Sequence, residues 1–135
     1  MTKFEAKVRA RPEEISDLTE RAGDFLDGAG VDTRAAHHVA MILDELLTNL
    51  ATHGGVIDEP AAICIYVEQS RVRVEFTDSG PPFDPHTAAE PDLTGSAAER
   101  KIGGLGLFLM RKIASDLYYR RDGGHNYTGF AVLRS

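Results

Sequence analysis

Hydrophobic and polar positions change period along the chain in a way that separates its elements. From Lys3 to Arg9 the period is two: Phe4, Ala6 and Val8 alternate with charged residues. This predicts a half-buried strand, and its charges suit a sheet edge. After Pro12, which fits the first turn of a helix, Ile15, Leu18, Ala22, Phe25 and Leu26 fall at helical spacing until Gly28 and Gly30 stop it. Glu13 and Glu14 sit at the positive end of that helix. Asp32 or Thr33 can cap a second helix. Its stripe runs through Val39, Ile42, Leu43, Leu46, Leu47 and Leu50, and it ends at Gly54-Gly55. Ile63, Ile65 and Val67, then Val72, Val74 and Phe76, return to period two on either side of Gln69-Ser70, an antiparallel hairpin. Residues 86–101 are small and polar without clean periodicity. From Leu105 through Phe108, Leu109, Ile113 and Leu117 the spacing predicts a third helix. A strand then begins at Tyr118–Arg121, a turn falls at Asp122-Gly123-Gly124, and a last strand spans Thr128–Leu133. The order β-α-α-β-β-loop-α-β-β predicts an α+β two-layer sandwich, a mostly antiparallel five-stranded sheet with three helices on one face.

Composition narrows the class. The chain has 135 residues, 42% hydrophobic and 27% charged, which fits one globular domain spanning residues 1–135. The formal charge of -6 argues against a general nucleic-acid surface, although Arg111, Lys112, Arg120 and Arg121 gather late in the chain. A single cysteine, Cys64, sits in an apolar run and reads as buried filler in a reducing compartment. No run reaches the length of a membrane span and the N-terminus lacks a signal-peptide core, so the expectation is a cytoplasmic protein without a membrane or direct nucleic-acid partner.

Three stretches carry candidate chemistry. Glu45, Asn49 and His53 follow one another at intervals of four, so a carboxylate, an amide and an imidazole line one edge of the second helix. That edge is either a site or a solvated flank ending in a cap. Asp78 closes the hairpin and begins Asp78-Ser79-Gly80-Pro81-Pro82-Phe83-Asp84-Pro85. A carboxylate where the backbone leaves a sheet can accept from an exocyclic amine, or can make an ordinary Asx turn. Gly103-Gly104-Leu105-Gly106 opens the third helix, where exposed N–H groups attract anions; a hinge is the alternative. It is not a Walker A loop, because no lysine and Ser/Thr follow the last glycine. His37 and His38 lack metal-site spacing.

Taken together, in this order and spacing, the three stretches resemble the Bergerat-type (GHKL) ATP fold of gyrase, Hsp90 chaperones, sensor histidine kinases and MutL. Glu45-Leu46-Leu47-Thr48-Asn49, the Asp78–Pro85 segment and Gly103-Gly104-Leu105-Gly106-Leu107 are most similar to the small bacterial anti-sigma-factor serine/threonine kinases. The resemblance covers roughly Phe4 to Leu133. It implies ATP and Mg²⁺ as cofactors, with Glu45 as general base and Asn49 as metal ligand. Asp78 would bind the adenine amino group, with Gly80, Pro82 and Phe83 shaping that pocket. Gly103, Gly104 and Gly106, and the N–H groups of Leu105 and Leu107, would hold phosphates. Arg100 or Lys101 would reach them from a lid over 86–102. His53 is a pocket residue or a helix cap. Thr128 would touch the adenine side, although many relatives carry Gly-Thr where this chain has Thr128-Gly129.

The implied partners are an anti-sigma-factor antagonist protein, which the kinase would phosphorylate, and a sigma factor, which it would hold in alternation. A homodimer is expected, because a two-layer domain leaves one sheet face uncovered. Two other functions remain open at this point: a non-catalytic ATP- or ADP-gated binding module, and a scaffold that has lost nucleotide.

Overall fold

The computed structural model describes residues 2–53, 59–87 and 105–135, with only the backbone of His53, Leu105 and Gly106. Strand β1 (Thr2–Val8) leads into helices α1 (Pro12–Gly28) and α2 (Thr33–His53). The hairpin β2 (Ala61–Val67) and β3 (Arg71–Asp78) follows, then a short 3₁₀ turn at Pro85–Thr87. Helix α3 (Leu105–Ile113) precedes the second hairpin, β4 (Ser115–Asp122) and β5 (His125–Leu133). The five strands are ordered β1-β2-β3-β5-β4, and every neighbouring pair is antiparallel. The fold is the expected α+β sandwich of the Bergerat type, with β1 at one edge.

Register explains the layers. Phe4 pairs with Ile65, Ile65 with Val74, and Val74 with Phe130, so one row of apolar side chains crosses four strands on the same face. That face meets the stripes of the helices. Leu18, Leu26, Ile42, Leu43, Leu47, Met110, Ile63 and Phe130 join one buried cluster. Helix α2 packs between α1 and α3, so its two flanks are both covered. On the opposite face stand Lys3, Tyr66, Arg73 and Glu75, with the Arg73 guanidinium 4.1 Å from the Tyr66 ring centroid.

Local chemistry sets the boundaries. Asp32 caps α2: its Oδ2 accepts the Ala35 N–H at 3.1 Å, while its Oδ1 accepts the Ser135 N–H at 3.0 Å. Gly123 (φ 59) and Gly124 (φ 80) are both left-handed, the requirement of a two-residue hairpin turn whose twist matches its strands. The third helix is shorter than its periodicity predicts. It stops at Ile113, and Leu117 belongs to β4. The cause is Asp116, which takes φ 53 and pairs with the Arg71 guanidinium of β3, while the β4–β5 register shifts between Ser115 and Tyr118. A bulge anchored from another strand overrides the helical period.

Candidate nucleotide site

A cavity of ≈ 260 Å³ opens between α2, the ends of β3 and β5, and the turn after Asp78. Leu46, Leu50 and Phe76 give it an apolar wall; Asn49, Asp78, Asn126 and Thr128 supply polar groups; Pro81, Pro82 and Phe83 form one side. A mostly apolar cleft with a few convergent polar groups has the composition of a small-molecule site.

Asn49 reaches the cavity from α2 because it lies three residues after Leu46 and one before Leu50, at the border of the buried stripe. Its Nδ2 is buried and has no hydrogen-bond partner among the described residues. Buried amides are nearly always satisfied, so this orphan on a cavity-lining side chain marks Asn49 as a site candidate. The other atom of the amide is its oxygen, a hard donor of the type Mg²⁺ takes. The residues therefore fit a nucleotide with its metal.

Asp78 ends β3 and makes the turn that the sequence suggests: its Oδ1 accepts the Gly80 N–H at 2.9 Å. The same oxygen accepts from Asn126 Nδ2 at 3.0 Å. Thr128 is 4% exposed and points into the cavity from β5. Strand alternation sends Gly129 to the opposite face, where Tyr118 covers it, so the Thr-Gly order still delivers a threonine to the cavity.

Beyond Phe83, Asp84 and His86 form a small clasp. The His86 backbone N–H donates to Asp84 Oδ1 at 2.9 Å, and its ring nitrogens lie 2.8 Å from that oxygen and 3.1 Å from the Leu117 carbonyl. Burial pushes the Asp84 carboxyl up, but these bonds outweigh it and hold it below the usual carboxylate range.

Of the residues singled out from sequence, Asn49, Asp78, Pro82, Phe83 and Thr128 share the cavity, and Gly80 supports Asp78 from behind. Glu45 is half-buried one helical turn before Asn49 and is not among the lining residues. Leu107 lies in the first turn of α3, and its side chain belongs to the core. His53 ends α2 and Gly106 and Leu105 open α3, each described by backbone alone. Arg100, Lys101, Gly103 and Gly104 lie outside the described residues. So does most of the expected lid; His86 and Thr87, at its start, belong to the 3₁₀ turn.

Sequence reading missed Asn126, Tyr119 and Arg121. The signal was present: Asn126, Thr128 and Phe130 alternate, so a strand extended two residues earlier turns an asparagine inward.

A model of the histidine kinase-like ATPase domain matches residues 8–130. The chain belongs to that family. This ATPase-type domain is nucleotide-binding by class and is related to known protein kinases. It is 35% identical over 91 residues to the serine/threonine-protein kinase BtrW of Bordetella bronchiseptica, covering 66% of this chain and 64% of that protein. It is 29% identical over 125 residues to the serine-protein kinase RsbW of Listeria innocua, covering 87% and 80%. The fold is shared with the RsbU and RsbW domains of Rv1364c from Mycobacterium tuberculosis (TM-score 0.68, 12% identity, 100% of this chain and 34% of that one). It is also shared with the SiaB–SiaC complex from Pseudomonas aeruginosa (TM-score 0.61, 14% identity, 96% and 89%). Among the described residues, no helix is long and apolar enough to cross a membrane.

Proposed function

We propose that this domain binds ATP in the α2–β3–β5 cavity and transfers its γ-phosphoryl group to a serine or threonine of an anti-sigma-factor antagonist, alternating with capture of a sigma factor. The observation that carries this reading is the orphaned Asn49 amide in the same cavity as Asp78. The kinase relatives BtrW and RsbW support the reaction class.

In this reading Asp78 accepts from the adenine amino group, and Thr128 lies beside the base. Asn49 would hold Mg²⁺, which would neutralise phosphate charge. The N–H groups at the start of α3, which have no intrahelical partner, would be the groups to hold the phosphates. The attacking hydroxyl oxygen forms a bond to the γ-phosphorus, and the bond to the β–γ bridging oxygen breaks. Glu45 takes the hydroxyl proton, and ADP leaves. Positioning and charge do most of the work. A second copy covers the open sheet face, where Tyr118 is 48% exposed.

One observation favours a second reading. Glu45 does not line the cavity, so the domain could instead be an ATP- or ADP-gated binding module without phosphoryl transfer. Incubation with γ-labelled ATP, Mg²⁺ and candidate antagonists separates the two. Label on the antagonist that disappears in Glu45→Ala supports the kinase. Nucleotide-dependent capture of the antagonist without label supports the module.

A further inference from the structure

Asn126 is 2% exposed and sits where β5 meets the turn after Asp78. Its Oδ1 accepts from Arg121 Nη1 at 3.1 Å and from the Tyr119 hydroxyl. Arginine can only donate, so this side of the amide is the oxygen and the other side is the nitrogen. Nδ2 then points at three acceptors: Pro81 O at 2.8 Å, Asp78 Oδ1 at 3.0 Å and Gly80 O at 3.3 Å. Two hydrogens are shared among them. Arg121 Nη1 reinforces the turn by donating to Gly80 O at 2.6 Å, and Tyr119 Oη accepts the Phe83 N–H at 3.3 Å.

The consequence falls on Asp78. The Gly80 N–H and Asn126 Nδ2 both donate to Oδ1. Oδ2 carries no hydrogen bond among the described residues. The carboxylate is therefore held by one oxygen and offers the other.

We infer that Asn126 is the positioning residue for base recognition: by binding Oδ1 of Asp78 it turns Oδ2 toward the base, so the cavity takes a base with an exocyclic amine there and rejects one with a carbonyl. Tyr119 and Arg121 fix the orientation of the Asn126 amide. This rests on the nucleotide reading above. The specificity follows from sign: a carboxylate oxygen accepts from the adenine amine and repels the guanine carbonyl.

The test is Asn126→Leu, which keeps the side-chain size and removes both polar atoms, with Mg²⁺·ADP and Mg²⁺·GDP binding measured by calorimetry on wild type and variant. With Nδ2 gone, the Asp78 carboxylate is held by the Gly80 N–H alone, so ADP should weaken by about tenfold and the preference for ADP over GDP should narrow. Unchanged ADP affinity, or an equal loss for ADP and GDP, overturns the proposal, because a purely structural role would not discriminate between bases. Should Asn126→Leu not fold, Asn126→Ser, too short to reach Asp78 Oδ1, is read in the same way and overturned by the same outcomes. Absence of ADP binding by the wild type removes the nucleotide reading itself and this inference with it, whereas wild-type binding without the variant effects removes only the inference.

Discussion

The ring of Tyr118 occupies the space that a side chain on Gly129 would need: a Cβ at Gly129 would stand 2.0 Å from Cε1 of Tyr118. The two are cross-strand partners between β4 and β5, on the face away from the helices. An aromatic ring packed over a strand glycine replaces the contacts that the glycine lacks. Gly129→Ala should therefore displace Tyr118 and lower stability by about 1–2 kcal/mol, a modest loss because the ring is half exposed and can swing out. A double-mutant cycle with Tyr118→Ala, read by urea unfolding, should show that the two losses do not add. Additive losses would mean that the ring does not depend on the glycine.

Asn49 should trade stability for binding. Its buried Nδ2 has no partner among the described residues, and an unsatisfied buried amide costs about 1–3 kcal/mol. Asn49→Ala removes that amide and places the best helix former within α2. Without nucleotide, the variant should melt at or above the wild-type temperature. With Mg²⁺·ATP, the wild type should gain stability and the variant should not. A variant that melts well below wild type in buffer alone would show that Asn49 is a structural residue.

His38 predicts a pH dependence on the same helix. Burial pushes its imidazole below the ordinary value, with the charges of Arg34 and His37 acting in the same direction and Asp32 opposing them. The folded state then binds fewer protons than the unfolded chain, whose histidine titrates near about 6.5. Stability from this residue is complete above that pH and is lost as pH falls through it toward the lower folded value. Urea unfolding of wild type and His38→Gln at about pH 7.5 and about pH 5.5 should show wild type losing more on acidification. Parallel curves would count against it.

Asp32 predicts the acid limb. The Ser135 N–H, and behind it the Ala35 N–H, hold its carboxyl below the usual value despite some desolvation. A depressed carboxylate contributes above the unfolded pKa, and that contribution disappears as pH falls through the folded one. Asp32→Ala should lower the melting temperature at neutral pH by removing both the α2 cap and the tie to Ser135. The gap to wild type should close below about pH 4. A gap that persists in acid would assign the loss to packing rather than to the charged cap.

Much of this was written in local chemistry. Period-two stretches became β1, β2, β3 and the second half of β5, and period 3.6 became α1 and α2, because burial of one face selects those repeats without regard to what covers them. Glycine pairs marked the turn at 123–124, and Asp32 marked the start of α2. Asn49 and Asp78 could be nominated as site candidates from type and spacing, and Thr128 only from the family resemblance. Their meeting around one cavity was a matter of tertiary structure, since Asp78 and Asn126 pair across β3 and β5 at a sequence separation of 48. Leu117 continued a helical repeat until Arg71, from a distant strand, held Asp116 in a conformation no helix allows. The orphaned Asn49 amide and the one-sided grip on Asp78 depend on which atoms are within 3 Å or so. Hydrogen bonds have that range, and linear order does not record it.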